Sequence, residues 1–477
     1  MNHPIVEVNK NNIKHKFMCR SPYIENFVTN VFPNWKKETF STFDMVCNNR
    51  QCGVAIDLGA WIGTTSIYLA KKFKHVIAVE CDTESLIDLE NNLKLNDITN
   101  VTVVDKPINQ RSTEVIIGPR NISGWNELNL SITCTKNKST SQNDNVLKST
   151  TFKNIIYNYY LKNKNRSNHL INFIKCNIEG GEEYILEDIL YYGLNNNIQS
   201  YISFHLYWWD DVSNLLKLSK YIDQYDCFVC CRPIQNVTQY IQSNPTCSIL
   251  FVPKKNKFLP QKNNMTVCIV SYNNYTYTQN MVKQLSNYTQ DIVVINNNST
   301  CDKIINYFNN EYQYTLCNIE KNSGPEIYQH PHIRNILGPI FILTDPDLQL
   351  NNQLPMDFIT ILFQLQHKYK CHKIGFALDI DSDDIRDDIH FAGKTVKEWE
   401  QPFWQNKIND DTYELYLAPV DTTFCMINYN YYTGSHVRIA GNFLCKHLPW
   451  HKNFWDIIGI EEYKNYLNEN KVTTWLK

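Results

Sequence analysis

Val54-Ala55-Ile56-Asp57-Leu58-Gly59-Ala60-Trp61-Ile62-Gly63 is an apolar run that ends in a carboxylate and a loop bracketed by two glycines. The run has the length of a buried strand, and glycine lets backbone approach a ligand where a Cβ would collide. Outward from it the pattern alternates: a helix over Thr64 to Phe73, a strand over His75 to Glu80, a helix over Glu84 to Leu95 and a strand over Val101 to Val104. Alternation of this kind predicts a parallel sheet with helices on both faces. Glu80 ends the second strand, where a carboxylate about 20 residues after the first loop can accept hydrogen bonds from both hydroxyls of a ribose.

The glycines do not follow G-x-G-x-x-G, which argues against a nicotinamide dinucleotide. Asp57 would repel a pyrophosphate but suits the cationic amino-acid portion of S-adenosylmethionine, directly or through water. Further along, Ser131 to Ser149 is polar and predicts a surface loop. Strand character returns at Phe173 to Ile178, followed by a helix near Glu182 to Tyr192 and a strand over Tyr201 to His205.

A polar, basic, proline-containing stretch, Lys254 to Asn264, is the best linker in the chain. A second alternating pattern follows it: strand Thr266 to Ser271, helix Tyr277 to Tyr288, strand Ile292 to Asn296 and helix Asp302 to Asn309. Then comes Ile340-Phe341-Ile342-Leu343-Thr344-Asp345-Pro346-Asp347, an apolar strand running into two aspartates around a proline. Such a pair at the carboxyl end of a strand can hold a hard divalent ion beside two phosphate oxygens. An isolated Asp-x-Asp is common on solvated turns, so the strand and the upstream pattern give this one its weight.

Bulk properties fit this organisation. The chain has 477 residues, with 46 lysines and arginines against 48 aspartates and glutamates, a net charge of −2. That balance speaks against nucleic acid as the main partner. Sixteen cysteines are scattered without zinc-type spacing, which suits reduced thiols in a cytoplasmic protein. No apolar run is long enough to span a bilayer, and the opening Met1-Asn2-His3-Pro4 lacks a signal-peptide pattern, so a soluble protein is expected.

The first loop looks like motif I of class I methyltransferases. Together with Glu80-Cys81-Asp82 and Lys175-Cys176-Asn177-Ile178-Glu179-Gly180-Gly181-Glu182, it resembles the FkbM family over roughly residues 20 to 255. The resemblance implies S-adenosylmethionine as cofactor and O-methylation of sugars or related hydroxyls. The expected cofactor residues are Asp57, Gly59, Ala60, Gly63 and Glu80, with Glu179 and His205 as catalytic candidates and Lys175 as a further polar group near the acceptor. A lone histidine at a strand end is more often structural. Asn177 stands where the family usually has aspartate, which leaves open an acceptor-holding, non-catalytic domain.

The second half resembles GT-A glycosyltransferases of the family-two type, most clearly over residues 265 to 350. That resemblance implies a nucleotide-sugar donor and a glycan or glycoconjugate acceptor, with Ser271, Asn273, Asn296 and Asp345 at the nucleotide sugar. It also implies manganese or magnesium held by Asp345, Asp347 and a late histidine, for which His447 is favoured over His451. Asn296 replaces a usual aspartate. Asp421 is the first candidate for the transfer base and Glu400 the second, while Arg438 either neutralises phosphate or forms a surface ion pair. The acidic run Asp379 to Asp384 lacks the glycine and distal glutamate of a calcium loop and reads as solvated. The clusters Tyr207-Trp208-Trp209 and Trp450 to Trp455 read as core before sugar platforms.

The expected fold class is therefore α/β in two domains: a Rossmann-like class I methyltransferase fold over 1–256, a linker over 257–264 and a GT-A fold over 265–477. The expected function is bifunctional glycan modification. The alternatives are a glycosyltransferase with a degenerate methyltransferase-like domain and a glycan-binding scaffold.

Overall fold

The computed structural model describes residues 3–47, 52–119, 130–132, 145–162, 170–255, 265–452, 456–459 and 461–462. The chain divides into two compact units, Met1–Gln261 and Lys262–Lys477. The expected linker 257–264 lies outside the described residues.

The first unit is built on an eight-stranded sheet. Its strands are β1 (Cys52–Leu58), β2 (Phe73–Val79), β3 (Val101–Val104), β4 (Ile171–Cys176), β5 (Gln199–His205), β6 (Tyr225–Val229), β7 (Arg232–Ile234) and β8 (Thr246–Pro253). They lie in the order β7-β6-β8-β5-β4-β1-β2-β3. Strands β1 to β5 are mutually parallel, and β8 runs antiparallel to β5 and β6. The order reverses between β1 and β4, which is the switch point where open α/β sheets leave a crevice. The parallel expectation is thus corrected at that edge of the sheet, where β8 pairs antiparallel with β5 and β6, and β7 pairs antiparallel with β6.

Alternation along β1 buries both faces. Val54, Ile56 and Leu58 pack into a core with Ile185, Leu186 and Ile189 of α3 (Glu182–Asn196), which follows α1 (Thr64–Ala70) and α2 (Thr83–Leu95). Ala55 faces a second core with Phe40, Phe43, Ile67 and Tyr68. This double burial is the Rossmann-like, doubly wound arrangement. The expected loop at Ser131 to Ser149 is corrected at its ends, because Leu130–Ile132 and Asn145–Lys148 pair with Glu114–Pro119 in a three-stranded sheet.

The second unit carries a nine-stranded mixed sheet. Its strands are β9 (Val267–Ser271), β10 (Ile292–Asn296), β11 (Thr315–Asn318), β12 (Ile340–Thr344), β13 (Lys373–Phe376), β14 (Lys407–Ile408), β15 (Leu415–Leu417), β16 (Cys425–Asn428) and β17 (His436–Ile439). Their order is β11-β10-β9-β12-β16-β13-β17-β15-β14. The first four are parallel, and β16 is antiparallel to both β12 and β13. Helices α4 (Tyr275–Leu285) and α5 (Asp302–Asn310) connect β9 to β10 and β10 to β11. Met281, Leu285, Ile304 and Phe308 on these helices bury against Val267, Ile269 and Val294 of the sheet.

Candidate functional sites

In the first unit the loop after β1 is fixed by steric necessity. Gly59 has φ +78°, and a Cβ there would lie 1.9 Å from the Asn177 carbonyl oxygen. Gly63 has φ +92° and starts α1. Between them Ala60 is buried and donates its N–H to the Val79 carbonyl, as Gly59 does. Trp61 is also left-handed, at φ 50°. A bulky residue in that region costs free energy and needs a holding contact.

Glu80 supplies the contact. One carboxylate oxygen accepts from the Trp61 N–H at 2.8 Å, and the other accepts from the Cys81 and Asp82 N–H groups at 2.8 and 3.0 Å. Burial pushes this carboxyl above its ordinary value, against the pull of those three amides. A carboxylate has about four acceptor positions, so three amides leave room for one further donor.

Asp57 is fully buried. Thr65 and Ser66 hydroxyls donate to one oxygen at 2.7 and 2.6 Å, and the Lys175 ammonium lies 2.8 Å from the other. Lys175 also donates to the Leu58 and Gly59 carbonyls at 3.3 and 2.7 Å. The structure therefore places Asp57 and Lys175 beneath the loop as its brace, with Lys175 directed at the loop backbone.

Across the crevice, at the ends of β4 and β5, a second set gathers. Glu179 takes φ 52° and brings its carboxylate 3.7 Å from His205 Nε2. Glu182, which is fully buried, lies 3.4 Å from His205 Nδ1. Glu182 also accepts from the His205 N–H, the Trp209 indole N–H and the Gly180 N–H, at 2.7, 3.2 and 2.8 Å. The imidazole thus lies between two carboxylates and stacks on Trp208 at 5.2 Å between ring centroids. Glu182 as the orienting group was missed in the sequence, where it reads only as the end of the Lys175 to Glu182 motif. Asn177 Oδ1 is buried with no hydrogen-bond partner among the described residues. The Tyr207 to Trp209 cluster divides: Tyr207 is exposed, Trp208 packs on His205 and Trp209 is buried.

In the second unit Asp345 and Asp347 follow β12 directly. Burial, reinforced by Asp347, pushes the Asp345 carboxyl up to about 7, although His447 and the Thr422 hydroxyl act the other way. Thr422 donates to Asp345 at 3.1 Å, and His447 Nε2 lies 3.5 Å from Asp347. Burial alone would lower the His447 imidazole, but Asp347, Asp345 and Glu400 together raise it. His447 reaches Asp347 because Leu348–Gln349 pairs with Lys446–His447. Among the described residues no group of three or more His, Cys, Asp or Glu side chains is arranged to hold a metal ion. His451 instead contacts Asp384 at 3.0 Å.

The other expected residues are placed as follows. Ser271 is fully buried and bonds Thr278 at 2.6 Å, so it does not face a ligand. Asn273, at φ 56°, accepts from the Thr300 and Cys301 N–H groups at 2.7 and 2.9 Å. Asn296 donates to Asn318 and accepts from the Ser299 N–H, at 2.8 and 3.0 Å. Both asparagines brace the strand-end loops. Asp421 is exposed, close enough to Asp345 to raise its carboxyl further.

Arg438 is neither a free phosphate partner nor a surface ion pair. It is buried, donates to Glu400 at 2.5 Å and to the Pro419 carbonyl at 2.7 Å, and lies over the Phe403 ring. Glu400 is committed to it. The reading of Asp379 to Asp384 as solvated is corrected at Asp379, which is buried and accepts from the Asp381 and Ser382 N–H groups and the Ser382 hydroxyl. Trp450 is buried against His447, while Trp455 lies outside the described residues.

No family model matches the chain, and no curated protein matches it. Among solved structures it is similar to the methyltransferase FkbM from Methylobacillus flagellatus, at 18% identity over 42% of this chain and 44% of that one, with a TM-score of 0.26. It is also similar to an O-methyltransferase from Bacillus cereus in complex with SAH, at 10% identity over 46% of this chain and 80% of that one, TM-score 0.26. A third is the precorrin-6y C5,15-methyltransferase from Geobacter metallireducens, at 14% identity over 46% and 89%, TM-score 0.24. The chain spans less than half the length of the Methylobacillus protein.

Proposed function

We propose that the first unit is an S-adenosylmethionine-dependent methyltransferase acting on a hydroxyl of a sugar or related acceptor. The observation that carries this reading is the meeting, at one crevice, of the Gly59 to Gly63 loop with an imidazole set between Glu179 and Glu182. The cofactor, when bound, supplies a methyl group on a sulfonium. Gly59 keeps the loop backbone open to it, and Glu80 has an acceptor position left for a ribose hydroxyl. Glu182 holds the His205 backbone N–H and lies 3.4 Å from Nδ1, so that Nε2 takes the acceptor proton and Glu179 stabilises the imidazolium that forms. Asn177 cannot take a proton, but its buried Oδ1, without a partner among the described residues, is an acceptor left for a second hydroxyl of the acceptor.

Incubating the protein with methyl-labelled S-adenosylmethionine and a panel of sugars tests the reading. Label should appear in a sugar ether and disappear in His205→Gln. Cofactor binding without transfer to any acceptor favours the degenerate, acceptor-holding alternative.

For the second unit the reading is glycosyl transfer from a nucleotide sugar, supported by the aspartate pair and His447 after a central strand. Two carboxylates and an imidazole suit manganese or magnesium, and such an ion would offset charge on a departing nucleoside diphosphate. Asp345, Asp347 and His447 would hold it. Asp421 is then the carboxylate left for the acceptor, because Glu400 is tied to Arg438. Mass spectrometry of mixed sugar nucleotides incubated with manganese tests this; no consumption favours a scaffold.

A further inference from the structure

Cysteine in this chain is mainly a core residue: Cys176, Cys227, Cys268 and Cys317 are buried, as small apolar side chains usually are. Among the described cysteines only Cys230 and Cys231 are exposed, and they are neighbours. They form the tip of the hairpin between β6 and β7, which the pairing of Val229 with Arg232 closes. Both have a left-handed backbone, with φ 48° and 61°. Two such residues in a two-residue hairpin loop make the type I′ turn, which favours Asn-Gly and imposes a steric cost on side chains such as cysteine. Neither the turn nor burial therefore accounts for cysteine at this tip.

Geometry limits what two adjacent thiols can hold. Neighbouring α-carbons across a trans peptide are about 3.8 Å apart, below the roughly 4.4–6.8 Å that a disulfide usually spans. A disulfide within the pair would be strained and easily reduced. Zinc asks for four ligands, and among the described residues no group of three or more His, Cys, Asp or Glu side chains is arranged to hold a metal ion. A soft ion satisfied by two thiolates remains. Burial, Glu38 and Cys231 push the Cys230 thiol above its ordinary value, with Arg232 acting the other way. The thiol thus stays protonated and slow to oxidise until a metal displaces the proton. Cys231 Sγ lies 3.8 Å from the Thr42 hydroxyl, so the tip rests on the helix Lys37–Cys47.

We propose that the Cys230-Cys231 tip is a binding site for a soft, thiophilic, monovalent ion of the Cu(I) class, held between the two sulfurs. Binding forms two metal–sulfur bonds and releases both thiol protons to solvent. One positive ion and two thiolates leave a single negative charge, which the adjacent Arg232 offsets. In the first sheet β8 and β5 separate this hairpin from β4, so the site is distinct from the crevice and independent of the methyl-transfer reading.

The test titrates the reduced full chain, without oxygen, into the coloured Cu(I) complex of bathocuproine disulfonate and reads metal withdrawal as lost absorbance. The parent should withdraw one Cu(I) per chain. The double variants Cys230→Ser/Cys231→Ser and Cys230→Asn/Cys231→Gly should both lose that withdrawal. The second of these restores the residues the turn prefers, so it should also melt above the parent, and its loss of binding cannot come from misfolding. Equal withdrawal by the parent and the double variants overturns the proposal, as does no withdrawal by the parent. Zinc taken from a zinc indicator by the parent and not by the double variants overturns it in favour of a harder ion. A Cys230-Cys231 peptide two hydrogens lighter in the mass spectrum of chain kept without reductant overturns it in favour of a disulfide.

Discussion

The Lys175 ammonium lies 2.8 Å from the buried Asp57 carboxylate, joining the two stretches that the sequence keeps more than a hundred residues apart. The pair sits under the Gly59 turn, and Lys175 extends the brace to the Gly59 carbonyl. Removing one partner of a buried pair leaves the other charge without compensation. Lys175→Met should therefore destabilise the first unit by about 3–5 kcal/mol, measured by denaturant unfolding. Thr65 and Ser66 still hold Asp57 in that variant, so a loss under about 1 kcal/mol would mean those hydroxyls alone satisfy it.

Gly59→Ala places a methyl group against the Asn177 carbonyl and forces a left-handed alanine. Either effect alone costs at least about 1 kcal/mol, and here they add at the loop itself. The expected outcome is a folded protein, judged by circular dichroism, with cofactor affinity lost. Unchanged affinity would remove the loop from the cofactor site.

His205→Gln should lower methyl transfer by about 10²–10⁴-fold, the usual worth of a positioned base. Cofactor affinity should stay the same, because His205 lies on the β4–β5 side of the crevice. Glu182→Gln should give a smaller fall in rate, since it disturbs orientation while the base remains. A His205→Gln variant with full activity would return the histidine to a structural role.

Asp345 predicts a pH dependence in the second unit. Its carboxyl is raised to about 7 from the ordinary 3.8, so between these values the folded chain keeps a proton that the unfolded chain has lost. By linkage its contribution is fully present below about 3.8, declines as pH rises and is gone above about 7. Asp345→Asn should flatten that decline in thermal unfolding, and it should be more stable than the parent at pH 8. An unchanged slope would mean that Asp347 or His447 dominates.

Much of the frame is legible in the sequence because it depends on local pattern. The strands at Val54, Val101, Ile292 and Ile340 announce themselves as short apolar runs between helical periods, and Gly59 is required by a backbone conformation that only its neighbours in sequence suggest. What was not legible depends on partners distant in the chain. Asp57 reads as a ligand because an acid opening a glycine loop suits a cationic cofactor, yet Lys175 arrives from β4 and pairs with it. Arg438 reads as exposed because arginine usually is, but Glu400 lies 38 residues away in sequence and only the fold buries the pair. Ser271, Asn273 and Asn296 sit at the strand ends where nucleosides bind, and their hydrogen bonds go to loops that no spacing rule relates to them. The antiparallel β8 has no signature of direction, because a strand's pattern is the same read either way.

Titration calorimetry of S-adenosylhomocysteine into the full chain tests the central claim most directly. The account predicts one saturable site per chain, with the heat abolished in Gly59→Ala and retained in Asp347→Ala. A folded parent chain that gives no binding heat and no displacement of labelled S-adenosylmethionine would contradict it.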